Sequence, residues 1–295
     1  MAAKVHVVRL IPLLTAILAV ACLAQAPTHA DEPSFQIDPT VLEDLGARFD
    51  HKGLRSAAAV LVTPDHPDHD WVRAVHERLV TVGQGSGVVL YRTQRGADVL
   101  VSAAHVLPYE ALRPAAAAQQ PTRVLFAPPI TPQEYEQEVP RDKDFVVVLA
   151  ESGKSTSRGR GRRIAEAGLP GVRGVQAGQE VLLMGTPVVG NLSLMYSVGR
   201  VLSTAEARQH DPQYDADRQF IVAASAAGRM SGGGVFARDG SYVGVITTGY
   251  FSGHPKALVS DYVGGVRATW IEKRFLAYLA SLPEAQRRAL AELMR

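Results

Sequence analysis

From Ser56 to about residue 270 the chain alternates between short apolar runs and clusters of glycine, proline and aspartate. The runs are "AAAVLV", "SGVVLY", "DVLVSAA", "RVLFA", "FVVVLA", "EVLLMG", "GRVLS", "QFIVAA", "GVFA" and "YVGVIT". Each is four to seven residues long and most are rich in valine, so each is predicted to be a strand. Many short strands separated by turn signals predict an all-β barrel or sandwich. A helical period returns only near the end, where Trp270, Phe275, Leu276 and Leu279 recur in "TWIEKRFLAYLASL". Ser281 and Glu284 in "SLPE" then predict a capping box that opens a last amphipathic helix through Leu290, Leu293 and Met294. Residues 31–55 are polar and punctuated by proline, with one short helical pattern, "PTVLEDLGARF", and read as an N-terminal arm.

The first thirty residues differ from all of this. Lys4 and Arg9 precede "LIPLLTAILAVACLAQA", and "THADEP" supplies small residues before an acidic start. The pattern predicts a secretory signal peptide cleaved after Ala30. A retained membrane anchor is disfavoured because Pro12 interrupts an apolar run already short for a bilayer span. A lipoprotein signal with Cys22 as the modified residue ranks second, since Ala19 is a poor match three positions before it. The chain therefore divides into a signal peptide (1–30), an arm (31–55), a β-rich domain (56–280) and a helical extension (281–295).

Charge and cysteine content narrow the picture further. The whole chain has 31 basic and 29 acidic residues, and cleavage removes Lys4 and Arg9 but no acid, so the mature chain is formally neutral. No nucleic-acid partner is implied. Cleavage also removes the single cysteine, Cys22, leaving an exported protein that needs no disulfide. That suits a bacterial periplasm or exterior, and the mature form is expected to have no stable membrane span.

Two polar stretches test other chemistries. "SGKSTSRGRGRR" contains Gly-Lys-Ser, but Val148 stands where a phosphate loop needs its first glycine, so the stretch reads as a solvated surface loop. "DHPDHDW" gathers Asp65, His66, Asp68, His69 and Asp70, with His76 close behind. Pro67 breaks any helical ligand spacing and no second ligand pair is apparent, so a polar surface loop is expected there, with no metal and no cofactor.

"GRMSGGGVF", residues 228–236, carries the chemistry of most interest: Ser231 between a bulky Arg-Met pair and three glycines. A serine hydroxyl attacks only when a base takes its proton, and the base needs a third group to fix its tautomer. Of the histidines outside the leader, His51, His66, His69, His76, His210 and His254 lie in polar or turn-rich surroundings. His105 ends the apolar strand "DVLVSAAH", where Ser102, Ala103 and Ala104 permit a tight turn. For the carboxylate, Asp144 immediately precedes the apolar strand of "RDKDFVVVLA", with Asp142 as the competitor. The order is His, Asp, Ser, and Arg229 occupies the first glycine position of a Gly-x-Ser-x-Gly elbow, which disfavours an α/β-hydrolase.

Residues 56–280 resemble a chymotrypsin-fold, trypsin-like serine protease, nearest in pattern to the bacterial HtrA/Deg group. "GQGSGVVL" resembles the strand before the histidine, "VSAAHVL" the histidine motif and "DFVVVLA" the aspartate strand. "AGQEVLLMGTPVVGNLSLMYSVGRVLS" resembles the family's strand, Gly-x-Pro turn and following strand, and "GRMSGGGVF" with "DGSYVGVITTG" resembles the nucleophile loop and the next strand. The resemblance implies two six-stranded antiparallel barrels with a C-terminal helix, and a serine endopeptidase acting on peptides or unfolded protein. It assigns His105 as base, Asp144 as the group that orients it, Ser231 as nucleophile, and the backbone N–H groups of Arg229 and Ser231 as the oxyanion hole. It also places the specificity pocket near Ser225, with Thr247, Thr248 and Gly249 as its wall. No acid lies there, so cleavage after small or medium apolar residues is expected. Two positions depart from the pattern. Arg229 replaces a glycine of the oxyanion loop, and Met230 replaces the aspartate that pairs with a newly cut N-terminus in zymogens, so N-terminal activation is not expected. Nor is a PDZ domain expected to follow, as it does in most of the HtrA group. These departures favour a rival reading, a catalytically weak or inactive pseudoprotease that binds protein in the same cleft; an esterase on the same triad is a third.

Overall fold

A computed structural model describes residues 53–112, 122–151, 171–187, 194–251 and 259–294. The leader with Cys22, nearly all of the arm and the basic stretch 152–163 lie outside the described residues. Twelve strands are described: β1 (Arg55–Ser56), β2 (Leu79–Val82), β3 (Gly85–Arg92), β4 (Ala97–Ser102), β5 (Thr122–Phe126), β6 (Val146–Glu151), β7 (Glu180–Gly185), β8 (Met195–Val201), β9 (Gln219–Ala223), β10 (Gly234–Phe236), β11 (Tyr242–Tyr250) and β12 (Tyr262–Arg267). The α-helices among the described residues are α1 (Ala57–Leu61), α2 (His69–His76), α3 (Pro132–Gln137), α4 (Thr204–His210), α5 (Ala268–Ser281) and α6 (Glu284–Leu293).

The second half is a closed antiparallel barrel of six strands in the order β8-β7-β10-β11-β12-β9, sealed where Arg200 and Val201 of β8 pair with Ala223 and Val222 of β9. Strand β1 adds to its outer edge at Tyr196 and Met195. The first half is an antiparallel sheet with five described strands, ordered β2-β3-β4-β6-β5. The fold is thus chymotrypsin-like, with two antiparallel β units and a C-terminal helix.

Packing explains why so many runs are continuously apolar rather than alternating. On β4, Val99 and Val101 point into one cluster while Leu100 points into another, and on β6 Val147 and Leu149 alternate in the same way with Val146 and Val148. In the barrel, Leu182 and Met184 alternate with Val181 and Leu183. A strand buried on both faces has no polar side to show. The shared cluster joins the two halves, and α2 and α5 help to close it with Trp71, Val72, Val75, Ile271, Phe275 and Leu279. Phe275 is fully buried there, and truncation to alanine is worth about 3–5 kcal/mol of stability.

Several sequence expectations are corrected. "AAAVLV" forms α1 rather than a strand: the Ser56 side chain accepts from the Ala59 N–H as an N-cap, and three alanines favour the helix. "DHPDHDW" is not a surface loop throughout, because α2 begins at His69 and docks Trp71, whose Nε1 donates to the Ala237 carbonyl at 2.9 Å. Helix is not confined to the end of the chain, since α3 and α4 open with capping boxes from Thr131 to Glu134 and from Ser203 to Glu206. The box expected at Ser281 does not form: Ser281 Oγ donates to the Tyr278 carbonyl, and α6 starts at Glu284 behind Pro283. On α5 the buried face is Ala268, Ile271, Phe275 and Leu279, leaving Leu276 exposed. Among the described residues no helix is long and apolar enough to cross a membrane.

Candidate active site

Strand pairing brings the histidine and the aspartate together. Ser102, the last residue of β4, pairs with Val146, the first residue of β6. His105 lies in the 3-10 turn Ala104–Val106 just beyond β4, and Asp144 lies just before β6, so both stand at the same end of neighbouring strands. Asp144 Oδ2 is 2.7 Å from His105 Nδ1, and Asp144 Oδ1 accepts the backbone N–H of His105 at 3.0 Å. The two bonds to one residue fix both the ring and the turn that carries it. The carboxylate side chain is only 6% exposed and the imidazole 37% exposed, so the acid is enclosed while the ring reaches solvent. Burial disfavours the charged imidazole, but the hydrogen bond and the charge of Asp144 outweigh it and raise the His105 pKa above its ordinary value. Asp142, the competing carboxylate, is occupied with Arg218 at 2.9 Å.

Ser231 sits between β9 and β10 on a loop of the barrel, half-buried. The loop is held from the other half of the molecule by Ser86 on β3. The Ser86 N–H donates to the Ser231 carbonyl at 2.7 Å, and its hydroxyl donates to the Arg229 carbonyl at 3.1 Å. That hydroxyl also accepts the Thr186 N–H at 2.8 Å and lies 2.9 Å from Thr186 Oγ1. Next to it, Gly85 marks where the two loops meet: a Cβ there would stand 2.5 Å from the Ser231 carbonyl oxygen and 2.6 Å from Val106 Cγ1, the neighbour of His105. Gly232 is just as constrained, with φ of 84° and a hypothetical Cβ only 1.9 Å from the Ser86 carbonyl oxygen. The glycine triplet is therefore required by close approach, and at Gly232 by its backbone angle as well.

The two departures in the loop acquire physical content. Arg229 adopts φ of 69°, the one described non-glycine residue in the left-handed region, at a cost of about 1–2 kcal/mol. Its side chain is exposed. Met230 is fully buried in the barrel cluster, and its sulfur accepts the Ala227 N–H at 3.3 Å. An apolar side chain thus anchors this position to the core, with no ion pair. Among the described residues the backbone N–H groups of Arg229 and Ser231 have no acceptor, so both remain available to an incoming oxygen.

The expected specificity pocket is only partly assembled from the predicted residues. Ser225 is buried, and its carbonyl accepts Ser197 Oγ at 2.6 Å. Gly249 meets it through Ser260, whose hydroxyl accepts the Ala226 N–H at 3.1 Å and whose Cβ would lie 3.0 Å from a Cβ on Gly249. Thr247 and Thr248 instead line a separate hollow of about 10 Å³ with Arg141 and Tyr250, beside the register shift between Ile246 and Thr248. Ser86, Thr186 and Ser260 were not singled out in the sequence. The sole hint for Ser86 was its place between two glycines in "GSG".

The histidine-rich stretch is tied to other parts of the chain by its side chains. His66 Nε2 pairs with Arg55 Nη1 at 2.9 Å, and Tyr196 donates to Asp68 at 3.2 Å. Among the described residues no group of three or more histidine, cysteine, aspartate or glutamate side chains is placed to hold a metal ion.

Known proteins can be set beside this geometry. The HtrA-type protease AlgW, solved with a decapeptide, aligns with a TM-score of 0.40 at 14% identity, covering 66% of this chain and 52% of that one. The chain thus spans about half the length of that protease. A Glu endopeptidase solved with MPD aligns with a TM-score of 0.41 at 15% identity, covering 69% of this chain and 89% of that one. No curated protein matches the chain in sequence. The trypsin-like peptidase domain family matches residues 85–245, a span that takes in β3, His105, Asp144 and the loop of Ser231. Because that match covers more than half of the 295 residues, the chain belongs to the trypsin-like peptidase family.

Proposed function

We propose that the chain is an exported bacterial serine endopeptidase that cleaves peptides or unfolded protein with His105, Asp144 and Ser231. The observation that carries this reading is the double hydrogen bond between Asp144 and His105, an acid that holds the ring with Nδ1 toward itself and so leaves Nε2 for the nucleophile. In the reaction Ser231 Oγ attacks the scissile carbonyl as His105 takes its proton. The tetrahedral oxyanion is stabilised by the N–H groups of Arg229 and Ser231, and His105 then returns the proton to the leaving amine. Water, deprotonated by the same histidine, releases the acyl group. Arg229 favours the rival reading of a non-cleaving binder; the lack of an acceptor among the described residues on its N–H and on that of Ser231 favours catalysis. Burial of Met230 in the core supports a loop that forms without a freshly cut N-terminus.

The test is labelling of the purified mature protein by a fluorophosphonate, beside Ser231→Ala. Labelling that disappears in the variant is the expected result, and no labelling of a folded wild type rejects the peptidase reading. N-terminal sequencing of the protein recovered from the periplasm or the medium should begin at Asp31; recovery from the cytoplasm with Met1 intact would reject export.

A further inference from the structure

A cleft of about 730 Å³ opens beside His105 and lies outside every element assigned so far to substrate. It is built from Gly83 and Gln84 before β3, from the residues that follow His105 through Glu110, and from Pro132, Tyr135 and Glu136 of α3. Tyr135 anchors the wall by donating its hydroxyl to the Leu107 carbonyl, and its ring meets that of Tyr109 with centroids 5.4 Å apart. Two aromatic rings and two carboxylates, Glu110 and Glu136, thus line the space. The third acid of this region is already occupied: Glu134 caps α3 and pairs with Lys143 at 2.6 Å. Glu110 and Glu136 form no ion pair among the described residues, and His105 is the one basic side chain lining the cleft.

We propose that this cleft is a subsite for a lysine or arginine side chain on the leaving-group half of the substrate. The side of the scissile bond follows from placement. The cleft shares no residue with Ser225, Thr247, Thr248 or Gly249, the expected seat of the acyl-side residue, and it is built on the residues that follow the histidine which hands its proton to the leaving amine. The class of side chain follows from chemistry. Two carboxylates with no ion pair among the described residues, in a partly enclosed space, attract a cation, and tyrosine faces accept the flat guanidinium or the aliphatic stem of lysine. A glutamate or aspartate there would meet like charge on both sides. The assignment of the leaving-group half rests on the proposed peptidase reading; the cation preference of the cleft does not.

Two experiments separate the claims. Argininamide and leucinamide are titrated into mature Ser231→Ala protein while backbone amide resonances are followed. Argininamide should shift Gly83, Gln84, Val106, Leu107, Tyr109 and Glu110 with about tenfold tighter binding than leucinamide. The exposed pair Glu110→Gln and Glu136→Gln should erase that gap without unfolding the chain. Equal binding of the two amides would overturn the subsite, whether or not the protein cleaves anything. A denatured protein mixture is then digested with the active form and the new N-termini are sequenced. Lysine and arginine should be enriched among the first two residues after the cut, and Glu110→Lys with Glu136→Lys should turn the enrichment toward aspartate and glutamate. Cleavage without basic enrichment would overturn the assignment to the leaving-group side and leave the peptidase reading intact.

Discussion

His105 and Asp144 stand at one end of two neighbouring strands and touch through two direct hydrogen bonds, whereas Ser231 rides on a loop of the other half and is held from across the boundary by Ser86. The proposed acid and base share one sheet, so the register of β4 and β6 is enough to bring them together. The position of Ser231, the proposed nucleophile, depends on how two separate β units pack, on a close approach at Gly85 and on a hydroxyl network through Ser86 and Thr186. Changes in the first region should therefore alter chemistry with little effect on stability. In the second, chemistry and stability should move together.

The largest effect is expected at Asp144. Asp144→Asn should keep the fold but lower kcat about 10⁴-fold, because an amide cannot hold the tautomer that leaves Nε2 free to accept a proton. A loss under tenfold would show that Asp144 is not the orienting acid. Gly85→Ala comes next, since its Cβ would collide with the Ser231 carbonyl and with Val106 at once. A fall of about a hundredfold in fluorophosphonate labelling rate is expected, together with a lower melting temperature. Unchanged labelling would break the contrast between the two regions. Ser86→Ala leaves the Thr186 N–H without its acceptor and the Arg229 carbonyl without its donor. The expected loss is about 1–3 kcal/mol of stability, read by urea denaturation, with a fall in kcat larger than any change in KM.

Dependence on pH probes the first region alone. His105 must be neutral to accept a proton, and Asp144 raises its pKa above the ordinary 6.5. As pH rises, kcat/KM should therefore climb through an inflection above 6.5 and fall away on the acid side. An inflection well below that value would mean that burial, and not Asp144, dominates the ring. The smallest effect is expected for Arg229→Gly. Relief of the left-handed arginine is offset by the greater chain entropy of glycine, so stability should stay within about 1 kcal/mol of the parent. A large gain in labelling would instead identify the arginine side chain as an obstruction to substrate.

The strands were legible wherever burial on both faces made a run continuously apolar, as in "DVLVSAA" and "FVVVLA". The same rule failed at "AAAVLV", because a short apolar run without alternation does not distinguish strand from helix, and there the Ser56 cap decided the matter. Strands β2 and β12 went unread, the latter because Gly264 and Gly265 interrupt its apolar pattern. The two capping boxes at Thr131 and Ser203 used the same signature expected at Ser281, where Pro283 moved the helix start by fixing its own backbone.

By itself the sequence determined the family, the candidate residues and their order, because those depend on side-chain type and on spacing along the chain. It placed Asp144 ahead of Asp142 through position before a strand alone; the tertiary structure gave Asp142 to Arg218 and Asp144 to His105. Only the packed structure decided that Ser86 would hold the Ser231 loop, that Met230 would be core, and that Glu110 and Glu136 would face one cleft. Each of those results joins residues far apart in sequence, and such contacts are chosen by the shape of the surfaces that meet.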